Sequence, residues 1–206
     1  QQDRKLRMEQ QVEPTAAAWS MHMATDYTYP VPARLLHLSI ALFGIAAYLT
    51  AELAEDDGTG YLLHAYLGLS LAASVLVRII GGFTSHPSLS FSGWSPLSSR
   101  QWSVALDDLR SLIRLRVPER AMHEGLAGIT QAAGIVLFAW MGATGSGMFL
   151  LGEDHGSDLF EVLEELHEVG ESLIPLYLVL HVGSVVVHAL AGHPIWRRMW
   201  TFRDRG

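Results

Sequence analysis

Residues 160–191 read FEVLEELHEVGESLIPLYLVLHVGSVVVHALA, and this stretch decides the fold. It opens acidic, turns strongly apolar after Ser172, and carries Pro175 as an expected kink. It is long enough to cross a hydrocarbon core of about 30 Å, which needs roughly 20 helical residues. Inside it stand His167 and His181, fourteen residues apart. On a helix that spacing separates them by about 21 Å along the axis and keeps them within about 40° of one face. An ionisable side chain at membrane depth is expensive and marks function by default. Two on one face of one span ask for partners on other spans.

Working outward, three more stretches are as long and as apolar, near 33–53, 60–82 and 121–150, with the last span taken as 160–191. The first bears charge only at Arg34 and Glu52, and the second only at Arg78 near its far end. The third ends in the glycine-rich run Met141 to Gly147, which is expected to fray or turn the helix. Half of the 206 residues are apolar, so the expected class is all-α, an integral membrane four-helix bundle. Between the second and third spans, Val104 to Arg116 places Leu109, Leu112 and Ile113 at helical spacing and reads as an amphipathic helix in the membrane interface.

The net charge of −7 conceals two populations. Thirteen of the fourteen Lys and Arg lie in the N-terminal segment up to Arg34, the 83–120 connection and the C-terminal tail; the other is Arg78, at the same end of its span. The 54–59 and 151–159 connections hold none. Basic residues are retained on the cytoplasmic side, so both termini are expected there. The expected division is a polar cytoplasmic segment 1–32, a transmembrane domain 33–192 and a basic tail 193–206. No signal peptide is visible in residues 1–29, and the chain opens Gln1-Gln2. No nucleic-acid partner is expected; membrane lipid is.

There is no cysteine, which excludes disulfides, thiolate zinc sites, iron–sulfur clusters and covalently attached haem. Ten histidines are present. His22, His86, His155 and His193 lie in connections or at ends, where structural or incidental roles suffice. His37, His64, His123, His167, His181 and His188 lie in the spans or at their ends. Depth sorts them. His64 and His167 both lie near the outer ends of their spans and face one another. His37 is fifteen residues below Glu52, about 22 Å inward, which matches His181. His188 lies about 31 Å beyond His167, too deep for His37, and is set aside as a ligand. Neutral imidazole is a common axial ligand of haem iron. Four histidines at two matched depths therefore predict two haems, held by His37 with His181 and by His64 with His167. Polar interhelical contacts without a cofactor are the rival, which the matched depths disfavour. Gly44, Gly68 and Gly170 lie where a flat macrocycle needs room.

Haem propionates need donors. Arg34 and Arg78 are placed either to contact inner propionates or to snorkel to the interface. The outer side offers Tyr61, Thr144, Ser146, His155 or water. The outer connections are acidic: Glu52, Glu55, Asp56 and Asp57, then Glu153, Asp154, Asp158, Glu161, Glu164, Glu165, Glu168 and Glu171. They form either a solvated face or a surface that steers a basic partner.

The pieces Arg34-Leu-Leu-His37, His64-Ala-Tyr-Leu-Gly68, Arg78-Ile-Ile-Gly-Gly-Phe83, Ala143-Thr-Gly145, Leu166-His167-Glu168 with His181 fourteen later, and Arg197-Arg-Met199 resemble, in order and spacing, a bacterial family. These are the di-haem cytochromes b that serve as membrane subunits of nickel–iron hydrogenases and formate dehydrogenases and as free-standing oxidoreductases. The resemblance spans roughly residues 30–200. It departs at Leu38, where many members carry Trp, which suggests a divergent branch. It implies the same two ligand pairs, a bacterial inner-membrane location, and electron transfer between a periplasmic redox partner and quinone. The partner would be a basic cytochrome c or a hydrogenase- or dehydrogenase-type subunit, making this an electron-transfer subunit of a respiratory oxidoreductase. His188, His123 and Arg34 are candidates for binding quinone or carrying its protons. The alternatives are a haem-free membrane anchor of a larger redox complex and a transporter; the absence of paired intramembrane carboxylates and broken inverted repeats weighs against the latter.

Overall fold

A computed structural model describes residues 29–54, 58–84, 86, 89–94, 97–118, 120, 124–152 and 157–200. The helices are α1 (Val31–Leu49), α2 (Thr59–Gly82), α3 (Ser99–Ile113), α4 (Leu126–Leu151), α5 (Asp158–Leu190) and α6 (Arg197–Trp200), with short 3-10 turns at Glu52–Ala54 and Phe91–Gly93. No strand occurs among the described residues. Helices α1, α2, α4 and α5 are each long and apolar enough to cross a membrane. The protein is an all-α membrane bundle of four such helices.

Local chemistry sets the helix ends. Pro30 and Pro32 open α1, where the missing N–H groups have no intrahelical partner anyway. Ser157 accepts the Phe160 N–H at 3.2 Å to start α5, with Asp158 and Glu161 in the positive first turn. The helix then continues through Pro175 to Leu190. The third span starts at Leu126 rather than near 121, because Gly125 adopts φ 62° immediately before it.

The expected fraying at Met141 to Gly147 does not occur, and α4 runs unbroken to Leu151. Its glycines are contact points. A Cβ on Gly142 would meet Ala72 Cβ of α2 at 2.9 Å, one on Gly147 would meet Leu163 of α5 at 2.8 Å, and one on Gly145 would meet the His167 ring at 3.1 Å. Small residues let helices approach closely in lipid, and a backbone surrounded by hydrocarbon must keep its hydrogen bonds internal. Together these outweigh a propensity cost of about 1 kcal/mol per glycine.

Helix α4 is the centre of the bundle. It packs on α2 and α5, while α1 leans on α2. The core is Leu71 and Val75 of α2, Leu137, Phe138 and Met141 of α4, and Ile174 of α5. Helices α1 and α5 bring almost no backbone close together, and neither do α2 and α5. Large apolar side chains such as Leu42, Leu49, Tyr66, Leu76, Val179 and Leu180 point outward, where lipid solvates them.

The amphipathic segment folds as α3, and of its expected apolar face only Leu112 departs. Gln101, Ala105 and Asp108 are buried against the bundle, whereas Trp102, Leu106, Leu109 and Ile113 stay exposed as one stripe and Leu112 falls off it. The buried face is polar because it caps a helix. Asp108 accepts the Leu126 N–H at 3.1 Å and the Arg120 Nε–H at 2.8 Å, and Gln101 donates to the Gly125 carbonyl at 3.3 Å.

Candidate functional site

Two histidine pairs stand where the helices do not close on one another. The His37 ring of α1 and the His181 ring of α5 have centroids 6.2 Å apart with planes at 39°. The His64 ring of α2 and the His167 ring of α5 have centroids 6.3 Å apart with planes at 83°. For two imidazoles bonded to one shared iron, about 2 Å per bond plus about 1.1 Å from each nitrogen to its ring centre gives a separation of roughly 6.2 Å. Both pairs therefore have the spacing that two imidazoles would need to hold one haem iron between them. Among the described residues no three His, Cys, Asp or Glu side chains gather to hold a metal, and a bare divalent ion would ask for more ligands than two.

The surroundings aim the outer pair. His64 Nδ1 lies 3.0 Å from the Ala47 carbonyl. That oxygen is in the last turn of α1, where it also accepts from the Thr50 N–H at 3.1 Å and the Thr50 hydroxyl at 3.0 Å. A carbonyl only accepts, so His64 donates through Nδ1 and its Nε2 lone pair is left for the pair. Across the gap, His167 Nδ1 lies 2.9 Å from Thr144 Oγ1. The Thr144 hydroxyl also lies 3.0 and 3.2 Å from the Trp140 and Met141 carbonyls of its own helix, which can take its proton and leave its oxygen to accept from an Nδ1–H of His167. Thr144, expected as a propionate donor, is turned to a ligand candidate instead. The Ala47 contact was missed, since no spacing rule marks a backbone carbonyl.

Around the inner pair, the Tyr177 ring stacks on His181 and meets Phe138 edge-on. A Cβ on Gly134 would run into the Tyr177 hydroxyl, so glycine leaves that ring its place. Arg34 is buried and, with His37, Leu38, Met199 and Trp200, lines an open cleft. The Tyr29 N–H donates to the Arg198 carbonyl at 3.1 Å, which ties the tail beneath α1. Arg78 is buried too; its Nη1 donates to the Leu89 carbonyl at 2.9 Å and its guanidinium lies over Phe91 and Trp94. Its Nη2 is buried with no hydrogen-bond partner among the described residues, which suits an anionic group.

His188 is not turned to His37; its Nδ1 pairs with the Ser184 carbonyl one turn back at 2.8 Å. His22, His123 and His155 lie outside the described residues, as do Glu55, Asp56, Asp57, Glu153 and Asp154. Of the three glycines expected beside a macrocycle, only Gly68 faces open space; a Cβ on Gly44 would touch Phe138 and Leu71, and one on Gly170 would run into Met141. On α5, Asp158, Glu161, Glu164, Glu165 and Glu168 are exposed, as is Glu52 after α1.

Residues 28–202 match the family described as prokaryotic cytochrome b561. No curated protein and no solved structure matches the chain.

Proposed function

The chain belongs to the prokaryotic cytochrome b561 family, and from that premise we propose that His37 with His181, and His64 with His167, ligate two haems b. Membership makes it a multi-pass bacterial membrane protein that binds haem b and moves electrons across the membrane. The observation that carries the ligand assignment is the matched separation of the two ring pairs, 6.2 and 6.3 Å. Each haem, when bound, supplies a one-electron iron couple. The protein's own residues hold the rings at two depths, fix the proton on Nδ1 of His64 and His167, and exclude water with the apolar core between the depths.

At the acidic end a periplasmic redox protein exchanges electrons with the outer pair, and at the basic end quinone does so with the inner pair. Both termini are then cytoplasmic, in keeping with the distribution of Lys and Arg. Arg34 and Arg78, whose Nη2 has no hydrogen-bond partner among the described residues, would hold inner-side propionates. His188 and His123 are the candidates for quinone protons.

The test is the haem-to-protein ratio with reduced-minus-oxidised spectra on the purified chain and on single His→Leu variants. Two haems are expected, one lost in the His37 and His181 variants and the other in the His64 and His167 variants. Loss that does not group by these pairs refutes the assignment, and a chain without reducible b-type absorption is an anchor.

A further inference from the structure

We infer that Thr144 and Gly145 act together as positioning residues that lower the potential of the haem held by His64 and His167; this rests on the ligand assignment proposed above. Two independent observations converge on His167. Gly145 brings α4 against the ring, since a Cβ there would stand 3.1 Å from Cε1 and 3.6 Å from Nδ1. Thr144, itself only 5% exposed, places its oxygen 2.9 Å from Nδ1. The threonine has a single hydroxyl proton, and its own helix's carbonyls take it. With Nε2 given to the iron, Nδ1 carries the ring proton, so the Thr144 oxygen accepts from it and the chain of donors runs from His167 through Thr144 to the α4 backbone.

A hydrogen bond from Nδ1–H makes an imidazole more basic and fixes its plane. In a water-poor interior such a bond is electrostatically stronger than at a surface. A more basic imidazole stabilises ferric over ferrous iron, so the bond lowers the potential. Glycine at 145 is the steric condition for this contact, because a bulkier residue pushes the ring away from the oxygen.

The experiment is a redox titration of the purified, haem-loaded chain with Thr144→Val, Thr144→Ser and Gly145→Ala, alongside His167→Leu. Thr144→Val keeps shape and removes the acceptor. It is expected to raise one couple only, by about tenfold in the ferric-to-ferrous ratio or ~59 mV for one electron, with an altered low-spin ferric signal for that haem. Thr144→Ser restores the wild-type couple. Should Thr144→Val not accumulate, Gly145→Ala reads the same contact and shifts that couple the same way by less. Unmoved couples in Thr144→Val or, in its place, Gly145→Ala, or a Ser variant shifted as far as Val, overturn the proposal. His167→Leu separates the two layers: loss of one haem there leaves the ligand assignment standing whatever Thr144 does, and retention of both removes assignment and proposal together.

Discussion

Tyr177 lies flat against His181, with 11° between the ring planes and 5.6 Å between centroids. The two are one turn apart on α5, where side chains four residues apart meet, and Phe138 closes the tyrosine's edge at 5.6 Å. An aromatic pair of this kind is worth about 0.5–1.5 kcal/mol beyond area burial. Tyr177→Phe should therefore leave haem occupancy and spectra unchanged. Tyr177→Leu should weaken retention of one haem by a few-fold and broaden its low-spin ferric signal, without touching the other. An unaltered spectrum in the Leu variant would show that the stack does not orient the ring.

Gly142 and Gly68 make a contrasting pair. A Cβ on Gly142 meets Ala72 at 2.9 Å, whereas one on Gly68 meets no protein atom within 4 Å. Gly142→Ala should push α2 from α4 and cost about 1–3 kcal/mol, the usual range for overpacking, seen as a lower unfolding temperature in detergent. Gly68→Ala should leave the unloaded chain's unfolding temperature unchanged and reduce haem loading beside His64. Equal effects of the two on the unloaded chain would mean that the space at Gly68 belongs to protein packing.

Asp108 is 2% exposed and serves two donors, the Leu126 N–H and Arg120. Asp108→Ala removes a cap and strands a buried backbone donor, for a loss of about 2 kcal/mol in thermal or denaturant unfolding. The hydrogen bond to Asp108, together with neighbouring carboxylates, raises the Arg120 pKa above the ordinary arginine range. A raised base contributes stability that is complete below its unfolded value and lost only as pH rises through the folded one. The Asp108-dependent increment should accordingly stay level from pH 7 to about 10, well under the arginine range; a decline within that window would show that Arg120 is not the group responsible.

Electron exchange with a basic periplasmic partner should slow as ionic strength rises, because the exposed carboxylates Asp158, Glu161, Glu164, Glu165 and Glu168 lie at one end of the bundle. Stopped-flow reduction of the haems by a basic cytochrome c between about 10 and 150 mM salt, where the screening length shortens from about 30 to 8 Å, measures it. Rates independent of salt would leave those carboxylates as a solvated surface only.

The juxtaposition of His64 with His167 and of His37 with His181 was legible because it depends on helical rise and on apolar length, both of which a sequence displays. The fourteen-residue interval in α5 sets two depths, and each depth meets one histidine on another helix. What faces each histidine was not legible. Thr144 was visible as a hydroxyl near the outer end, but whether it turns to a propionate or to His167 depends on the rotation of α4 about its axis. That rotation is set by contacts such as Gly142 on Ala72. The glycine run was misjudged for the same reason: propensity measured in water argues for fraying, and close packing in lipid reverses it. The apolar stripe of α3 was legible in the sequence, but not that its opposite side is buried with Asp108 capping α4, a contact eighteen residues away in the chain.

The gap between α5 and its neighbours α1 and α2 has a consequence for stability. Helix α5 makes its close backbone contacts with α4 and meets α1 and α2 mainly through the two histidine pairs. A ligand that binds only the assembled form adds its binding free energy to stability, so a haem between each histidine pair would fasten α5 to α1 and to α2. The fourth helix would then be held on three sides instead of one, and the loaded chain should resist unfolding and proteolysis better than the unloaded one.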